Sequence, residues 1–328
     1  MRVLSLFDGI SCARVALERS GITVEAYYAS EIDSHAIEIA KKNWPGTVHL
    51  GDVRNLKASD IAGGIDLLVG GSPCQDLSRA NTTGKGLEGK SSSLFYEYLR
   101  ILKETRPRYF ILENVASMKN VYRDEITKEL GVEPIMIDAG LVSAQQRKRY
   151  FWTNIPGVCQ PHDRGILLKD VLEHGFPLRE GEKARTLTVS YGKNHPSASR
   201  IGTKYEKTMV AKHPLILGKE NGGIKIREAT KKGYAVAHPG DSIDLSFPSS
   251  TTRRGRVGKK VKTLTTSTPI HVLTKDEVRI LTPVECERLT TLPDGYTEGV
   301  SETQRRMLCG NAFVVEVVAH VLKHIPKT

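Results

Sequence analysis

The stretch Ile65-Asp66-Leu67-Leu68-Val69-Gly70-Gly71-Ser72-Pro73-Cys74-Gln75 runs from an apolar segment through two glycines to a cysteine. An apolar run of this length closed by glycines predicts a buried strand that ends in a tight turn. The thiol of Cys74 would then lie at the carboxyl edge of a sheet, where open α/β sheets bind ligands. An isolated cysteine is more often an ordinary core residue, so its function depends on its neighbours.

The first 155 residues alternate strand-like and helix-like segments. This alternation predicts an α/β fold with a doubly wound, mainly parallel sheet. Strands are predicted over 2–7, 24–30, 48–50, 65–69, 109–112, 134–138 and 150–152, and helices over 12–19, 33–42 (with Asp33 as its cap), 94–103, 283–289 and 312–322.

The positive charge of the chain is concentrated in one block. The net charge is +11, and residues 157–275 hold 22 Lys and Arg against 10 Asp and Glu, whereas the other residues hold 26 against 27. A basic block beside a neutral body is typical of a protein that binds a polyanion, although a solubilising surface is the alternative.

The same block predicts a second domain. It is rich in Gly, Ser, Thr and Pro, with short β-like pieces at 185–188 and 262–265. We expect a smaller, irregular, β-rich domain over 157–275 and an α/β domain over 1–156 plus 276–328.

Cysteine usage and hydropathy indicate the compartment. The five cysteines are scattered and show no C-x-x-C spacing, which argues against a disulfide framework or a structural zinc site. The sequence shows neither a cleavable signal pattern nor an apolar run of membrane length. We therefore expect a cytoplasmic protein with no metal site and no membrane contact.

Polar residues follow three of the predicted strands. Phe7-Asp8-Gly9 follows the first strand, Glu31 the second and Asp52 the third. A glycine there lets the backbone approach a nucleotide-like ligand, and an acidic residue after the second strand is suited to ribose hydroxyls. Each is weak alone, since there is no full G-x-G-x-x-G, but together they favour an adenosyl site over solvated strand ends.

A carboxylate and two arginines complete the candidate site. The apolar fifth strand runs into Glu113-Asn114-Val115, which places Glu113 at the same sheet edge as Cys74. Arg147 and Arg149 are two residues apart, so on an extended segment both point to one side. A charged surface run is the alternative, which the apolar aromatic segment directly after it disfavours.

These residues, in this order, resemble the motifs of the DNA cytosine methyltransferases that act at carbon 5 of the ring. The resemblance covers the whole chain, and three variants, at residues 7–10, 72–74 and 137–139, are more similar to the mammalian de novo DNA methyltransferases, although the length fits a bacterial or phage enzyme. Ser11-Cys12-Ala13 stands where the family often has further glycines. The matching motifs are Phe7-x-Gly9, Glu31, Asp52, Ser72-Pro73-Cys74-Gln75, Glu113-Asn114-Val115, Gln145-x-Arg147-x-Arg149, Arg279-x-Leu281-Thr282-x-x-Glu285-x-x-Arg288-Leu289 with Pro293-Asp294, and Gly310-Asn311.

The resemblance implies methyl transfer from S-adenosyl-L-methionine to carbon 5 of a flipped-out cytosine in a specific double-stranded DNA sequence, with S-adenosyl-L-homocysteine as product. It implies that Cys74 attacks carbon 6 and that Glu113 holds the amino edge and protonates ring nitrogen 3. Arg147, with Arg149 as the further candidate, would hold the base carbonyl.

The resemblance also implies that residues 1–156 plus 276–328 form the catalytic domain and residues 157–275 the target recognition domain. It further implies a cellular location and two binding surfaces. The enzyme would be a cytoplasmic, nucleoid-associated bacterial or phage protein, monomeric on DNA, with a separately acting restriction endonuclease as an open question. The cofactor would contact Phe7, Asp8, Gly9, Ile10, Glu31, Ile32, Asp52, Val53, Pro73, Asn311 and Ala312, and DNA would contact Gln75, Ser78, Arg79, Arg253, Arg254, Arg256, Lys259 and Lys260.

Two other functions stay open at this point. Cytosine-5 methyltransferases of tRNA share the same catalytic residues, and a catalytically silent, cofactor-binding DNA-binding protein would share the cofactor and DNA features. A nicotinamide oxidoreductase would have the same sheet order. The sequence lacks the complete phosphate-binding loop of that class, however, and such an enzyme would not explain the basic block. The recognition sequence cannot be read from residues 157–275.

Overall fold

The computed structural model describes residues 1–73, 94–173, 214–264, 270–274 and 278–326. Cys74, Gln75, Ser78 and Arg79 lie outside the described residues, as does the predicted β-piece at 185–188. No helix within the described ranges has the length and apolar character needed to cross a membrane.

Strands and helices alternate through the first half of the chain, as predicted. The strands are β1 Arg2–Leu6, β2 Ala26–Ser30, β3 Val48–His49, β4 Leu67–Gly70, β5 Tyr109–Val115, β6 Ile135–Asp138, β7 Gln145–Gln146, β8 Lys148–Thr153, β9 Ile216–Glu220, β10 Gly223–Arg227, β11 Tyr234–Ala237, β12 Ser242–Asp244, β13 Arg256–Gly258, β14 Val261–Lys262, β15 His271–Leu273 and β16 Val278–Ile280. The helices are α1 Cys12–Arg19, α2 Ser34–Asn43, α3 Leu94–Thr105, α4 Asn120–Leu130, α5 Pro283–Leu289, α6 Glu302–Asn311 and α7 Val315–Leu322.

A seven-stranded sheet in the order β3-β2-β1-β4-β5-β8-β6 forms the centre of the fold. The pairs from β3 through β5 are parallel, and β8 runs antiparallel to both β5 and β6. The predicted α/β fold with a mainly parallel sheet is confirmed.

Alternate residues of the central strands enter two separate cores. Val3 and Val69 belong to a core that includes α1 and α7, whereas Leu4 and Leu68 belong to one that includes α3. Because both faces are covered, apolar residues occupy consecutive positions in these strands, as at Val3-Leu4 and Leu67-Leu68-Val69, rather than every second one.

The described residues between 214 and 280 include two small antiparallel sheets, β11-β10-β9 and β13-β12-β15-β16, around a core of their own. This block is also joined to the first half of the chain, because β14 pairs in parallel with β7 and Val261 shares a core with Ala144 and Cys286. The division at residues 156/157 and 275/276 stays a prediction.

The sequence around α5 serves as an anchor. Thr282 caps the helix and accepts a hydrogen bond from the Glu285 backbone, and Pro283 begins it. The Arg279 guanidinium pairs with the fully buried Glu285 carboxylate through two bonds of 2.6 and 2.7 Å, and Arg288 pairs with Asp294 at 2.6 Å. This motif therefore holds the C-terminal segment in place.

Two helices were missed from the sequence, and one prediction was too long. In α4 only Ile126 is buried, and α6 is largely polar, so neither shows a long apolar stripe. The helix predicted over 312–322 begins only at Val315, because Ala312 is the extended cap residue that ends α6.

Candidate active site

The central parallel strands end in one row. Leu6 pairs with both Ser30 and Gly70, and Gly70 pairs with Leu112. The residue after each of these positions therefore lies at the same edge of the sheet. These residues are Phe7, Glu31, Gly71 and Glu113.

The Glu31 carboxylate is fixed by three backbone N–H groups. It accepts hydrogen bonds from Gly9 at 2.8 Å, Ile32 at 2.7 Å and Asp33 at 2.9 Å. These bonds tie the loop after β1 to the start of α2, whose first turn Asp33 caps as predicted. A partly exposed carboxylate held in this way is suited to accept hydrogen bonds from a vicinal diol.

The surroundings of Glu31 match a nucleoside-like ligand. Ile32 is 69% exposed although it is apolar, and a side chain at Gly9 would enter open space. Val53 is buried, whereas Asp52 is bonded to Arg54, and these hydrogen bonds lower the pKa of Asp52. An apolar surface beside fixed carboxylates is a feature of small-ligand sites.

The loop after β1 is wound through unusual backbone conformations. Phe7 has φ 56° and Ser11 has φ 59°, values that residues other than glycine rarely adopt. Asp8 anchors the loop, since its buried carboxylate accepts hydrogen bonds from Ser11 at 2.5 Å and Tyr27 at 2.7 Å. The carboxylate of Asp8 therefore stabilises the loop from inside the protein, and only the backbone of Asp8 could contact a ligand.

The two glycines after the apolar run allow close packing. A tight turn was predicted at these glycines. Instead, Gly70 lies within β4 and neither Gly70 nor Gly71 has a positive φ, so this prediction is wrong. A Cβ at Gly70 would lie 2.9 Å from the Tyr98 ring, and one at Gly71 would lie 2.7 Å from the Phe313 ring and 3.2 Å from a Glu113 carboxylate oxygen. Larger residues would collide with the side chains that form this edge.

Buried hydrogen bonds join the ends of β4 and β5. The Asn114 amide donates to the backbone oxygen of Ser72 at 3.2 Å and to its hydroxyl at 3.1 Å. Asn114 also accepts a hydrogen bond from the Val115 backbone at 2.8 Å. The chain is thereby fixed two residues before Cys74.

Glu113 and Arg149 form an ion pair at this edge. The Arg149 Nε lies 2.7 Å from Glu113 Oε1, and the two side chains are only 14% and 12% exposed. Shielding from water strengthens such a pair. The sequence placed Glu113 at this edge, and the structure adds that Arg149 is its partner.

Arg147 has a different position from Arg149. It is buried, and its Nη1 donates to the carbonyl oxygen of Gly310 at 2.9 Å, while its backbone N–H donates to Asp138 at 2.9 Å. Arg147 therefore holds the end of α6, and with it Asn311, Ala312 and Phe313, against the sheet edge. Sequence reasoning missed Phe313, for which its place beside Gly310-Asn311 was the available signal.

The described cysteines differ in environment. Burial raises the pKa of the Cys12 and Cys309 thiols well above the usual range and that of Cys286 to about 12. Cys159 is exposed and lies beside His324. The three buried thiols are therefore protonated at neutral pH and unsuited to nucleophilic attack.

The predicted DNA-contacting residues occupy varied surroundings. Arg253 and Arg256 are exposed and Arg254 is partly buried, whereas Lys259 donates to Asp241 at 2.6 Å and Lys260 donates to the Gly140 carbonyl oxygen. Both lysines thus have partners within the protein.

One exposed aromatic residue was missed. Phe247 is 56% exposed, has φ 55°, and its ring lies 5.6 Å from the Arg253 guanidinium carbon. A backbone conformation this costly that presents an aromatic ring to solvent is a feature of binding loops. The sequence offered little warning, because a residue before proline ordinarily adopts an extended conformation.

Comparison with known proteins identifies relatives along the whole chain. A family model described as C-5 cytosine-specific DNA methylase matches residues 1–327. The type II methyltransferase M.Sau3AI of Staphylococcus aureus is 26% identical over 100% of this chain and 96% of its own length, and M.NgoBV of Neisseria gonorrhoeae is 27% identical over 100% and 99%. The orphan methyltransferase M.Rho11sI of Bacillus phage rho11s is 42% identical over 122 residues, which are 37% of this chain and only 24% of the phage protein.

Solved structures share the fold. A prophage-encoded E. coli protein described as a DNA modification methyltransferase superposes with a TM-score of 0.64 at 22% identity, covering 99% of this chain and 98% of that one. The Dnmt2 methyltransferase of S. pombe gives a TM-score of 0.60 at 16% identity, covering 98% and 97%. At these identities the likeness concerns the fold alone.

Asp8 predicts a measurable pH dependence of stability. Burial raises its pKa from 3.8 to about 6, so its contribution to stability is complete below about pH 4 and is lost as the pH rises through 6. Between pH 4 and pH 7 the free energy of unfolding should fall by roughly 2–3 kcal/mol more in the wild type than in Asp8→Asn. Urea unfolding across this range measures the difference, and parallel pH curves would contradict it.

Proposed function

The chain belongs to the C-5 cytosine-specific DNA methylase family, and from this premise we propose that it methylates carbon 5 of a flipped-out cytosine within a specific double-stranded DNA sequence. The observation that supports this most strongly is the ion pair between Glu113 and Arg149, which lies at the same strand edge as Glu31 and the segment leading to Cys74. Glu113 and Arg149 would contact the base, Cys74 would be the nucleophile and Glu31 would face the cofactor. These four residues come from separate parts of the sequence.

The chemistry requires covalent activation of the base, because carbon 5 of cytosine is a poor nucleophile. Cys74 attacks carbon 6 as a thiolate while Glu113 holds the amino edge and gives a proton to ring nitrogen 3, so carbon 5 becomes enamine-like. S-adenosylmethionine supplies the methyl group that carbon 5 accepts. Solvent water, acting as the base, takes the carbon 5 proton, so that elimination restores the 5,6 double bond and releases the Cys74 thiolate, and ring nitrogen 3 returns its proton to Glu113.

The arrangement of the two arginines divides their roles. Arg149, the ion-pair partner of Glu113, would hold the base carbonyl, and its positive charge would favour the thiolate form of Cys74. Arg147 was the first candidate for this contact from the sequence. In the structure it donates a hydrogen bond to the Gly310 carbonyl oxygen at the end of α6. We therefore assign the substrate contact to Arg149 and a positioning role to Arg147.

The residues around Glu31 fit the adenosyl part of the cofactor. Glu31 and Asp52 would accept hydrogen bonds from the ribose and adenine, the exposed Ile32 side chain would cover the adenine ring, and the open space at Gly9 would admit the ligand close to the backbone. Phe7, Ile10, Val53, Pro73, Asn311 and Ala312 would complete the proposed cofactor set.

The basic block at 157–275 would serve as the DNA-recognition domain. Arg253 and Arg256 are exposed and suited to phosphate or base contacts. Phe247 offers an aromatic face beside Arg253. Flipping the target base costs about a few kcal/mol, which contacts of this kind would offset. Gln75, Ser78 and Arg79, which flank the nucleophile, remain proposed DNA contacts from the sequence.

Replacing the proposed nucleophile should separate catalysis from binding. We expect Cys74→Ser to reduce methyl transfer by at least about 10³-fold while DNA affinity stays within about twofold of the wild type. Transfer of tritiated methyl groups to duplex DNA and to tRNA, measured in parallel, tests the reaction and its substrate. Substantial turnover by the variant, or a preference for tRNA, would contradict the proposal.

The hydrogen bonds of Asn114 should matter for catalysis more than for folding. Asn114→Ala removes both bonds to Ser72, so the segment before Cys74 loses its fixed position, and kcat should fall about 10–100-fold. Ser72→Ala, which keeps the bond to the Ser72 backbone, should have a smaller effect. Single-turnover rates of the two variants give the comparison, and equal effects would argue against this role.

Neutralising the basic residues should weaken DNA binding through lost phosphate contacts. Changing Arg253 and Arg256 together to Gln should lower affinity and reduce the slope of log K against log salt by about one per contact. Changing Lys259 and Lys260 should have less effect on the slope because both have partners within the protein. A matched pair outside the block, Lys41→Gln with Lys128→Gln, is the control, and an unchanged slope in the arginine variant would refute the assignment.

A further inference from the structure

A cluster of metal-ligating side chains lies outside the proposed active site. Cys159 follows the last strand of the first half of the chain, His320 lies in α7, and His324 lies one turn further along. The Cys159 sulfur and one ring nitrogen of each histidine lie within 4.8 Å of one another. No metal motif is visible in the sequence, because Cys159 is about 160 residues away from the two histidines.

The spacing within this cluster matches tetrahedral zinc. The Cys159 sulfur lies 3.7 Å from His324 Nε2. With Zn–S of about 2.3 Å and Zn–N of about 2.0–2.1 Å, two ligand atoms on a tetrahedral ion are separated by roughly 3.5 Å. The His320 ring nitrogen lies within 4.8 Å of both the Cys159 sulfur and the His324 ring nitrogen.

Hydrogen bonds already orient both imidazole rings. His324 Nδ1 lies 2.9 Å from the His320 carbonyl oxygen and donates to it, which leaves the Nε2 lone pair facing the sulfur. His320 Nε2 donates to the Cys159 carbonyl oxygen at 2.8 Å, which holds the segment that carries the thiol. Ring N–H groups bonded to backbone carbonyls in this way fix the tautomer, as in metal sites of known proteins.

We propose that Cys159, His320 and His324 bind one Zn²⁺ ion, with water as the fourth ligand. Cys159 binds as the thiolate and releases its proton to solvent, and the two imidazoles bind as neutral donors. The ion connects the start of the basic block, near the middle of the chain, to the C-terminal helix about 160 residues further along. The expectation of no metal site rested on sequence spacing alone, which cannot detect ligands that only folding brings together.

Metal titration of the full-length protein tests the proposal. After dialysis against a chelator, Zn²⁺ alone is titrated in competition with a chromogenic chelator, and the wild type should bind one ion per chain. Cys159→Ser and His324→Asn should each lower the affinity at least about tenfold. His162→Asn, an exposed histidine in the same segment that lies outside the cluster, should bind like the wild type.

Two further readouts separate ligation from unspecific binding and from misfolding. Co²⁺ should produce a thiolate-to-cobalt charge-transfer band in the wild type and His162→Asn but not in Cys159→Ser. Zn²⁺ should raise the thermal midpoint of the wild type by a few degrees and leave that of Cys159→Ser unchanged, while the metal-free midpoints agree. Equal Zn²⁺ affinity in the wild type and Cys159→Ser, or no charge-transfer band in the wild type, would overturn the proposal, whatever the outcome of the methylation assays.

Discussion

The in-register parallel pairing of β1, β2, β4 and β5 is the constraint on which the rest of the structure depends. Because both faces of these strands are buried, apolar residues predominate along them, and carboxylates such as Glu31 and Glu113 follow the apolar runs. Parallel pairing places all four ends in one row. Glu31, Glu113 and the segment leading to Cys74, for which we propose roles toward the cofactor and the base, therefore lie at one sheet edge without being neighbours in sequence.

Buried hydrogen bonds hold the elements that form the proposed site. Arg147 secures the end of α6, Asn114 secures the segment before Cys74, and Asp8 secures the loop after β1. Buried charges need partners, and removing one partner of such a pair typically costs about 3–5 kcal/mol. Neighbouring motif residues thus have different surroundings: Arg149 pairs with Glu113, whereas Arg147 donates to the Gly310 carbonyl oxygen.

The basic block combines two kinds of contact. Part of its charge joins it to the rest of the protein, as Lys260 does through the Gly140 carbonyl, and part remains on the surface, as at Arg253 and Arg256. Charge counts from the sequence cannot separate these groups, because they do not show which side chains find internal partners. The proposed zinc site at Cys159 would add a second connection between this block and the C-terminal helix.

The sequence by itself determined the fold class and most of the candidate site. An apolar run followed by a polar residue marks the end of a buried strand, and this change can be read directly from the order of residues. Glu31 and Glu113 were placed at the sheet edge on this basis, whereas α4 and α6 were missed because they lack a long apolar face. Tertiary structure alone decided that Gly70 and Gly71 serve close packing, that Arg149 rather than Arg147 meets Glu113, and that Cys159 lies beside two histidines. Each of these depends on contacts between distant segments, which the chain acquires only when its strands and helices pack.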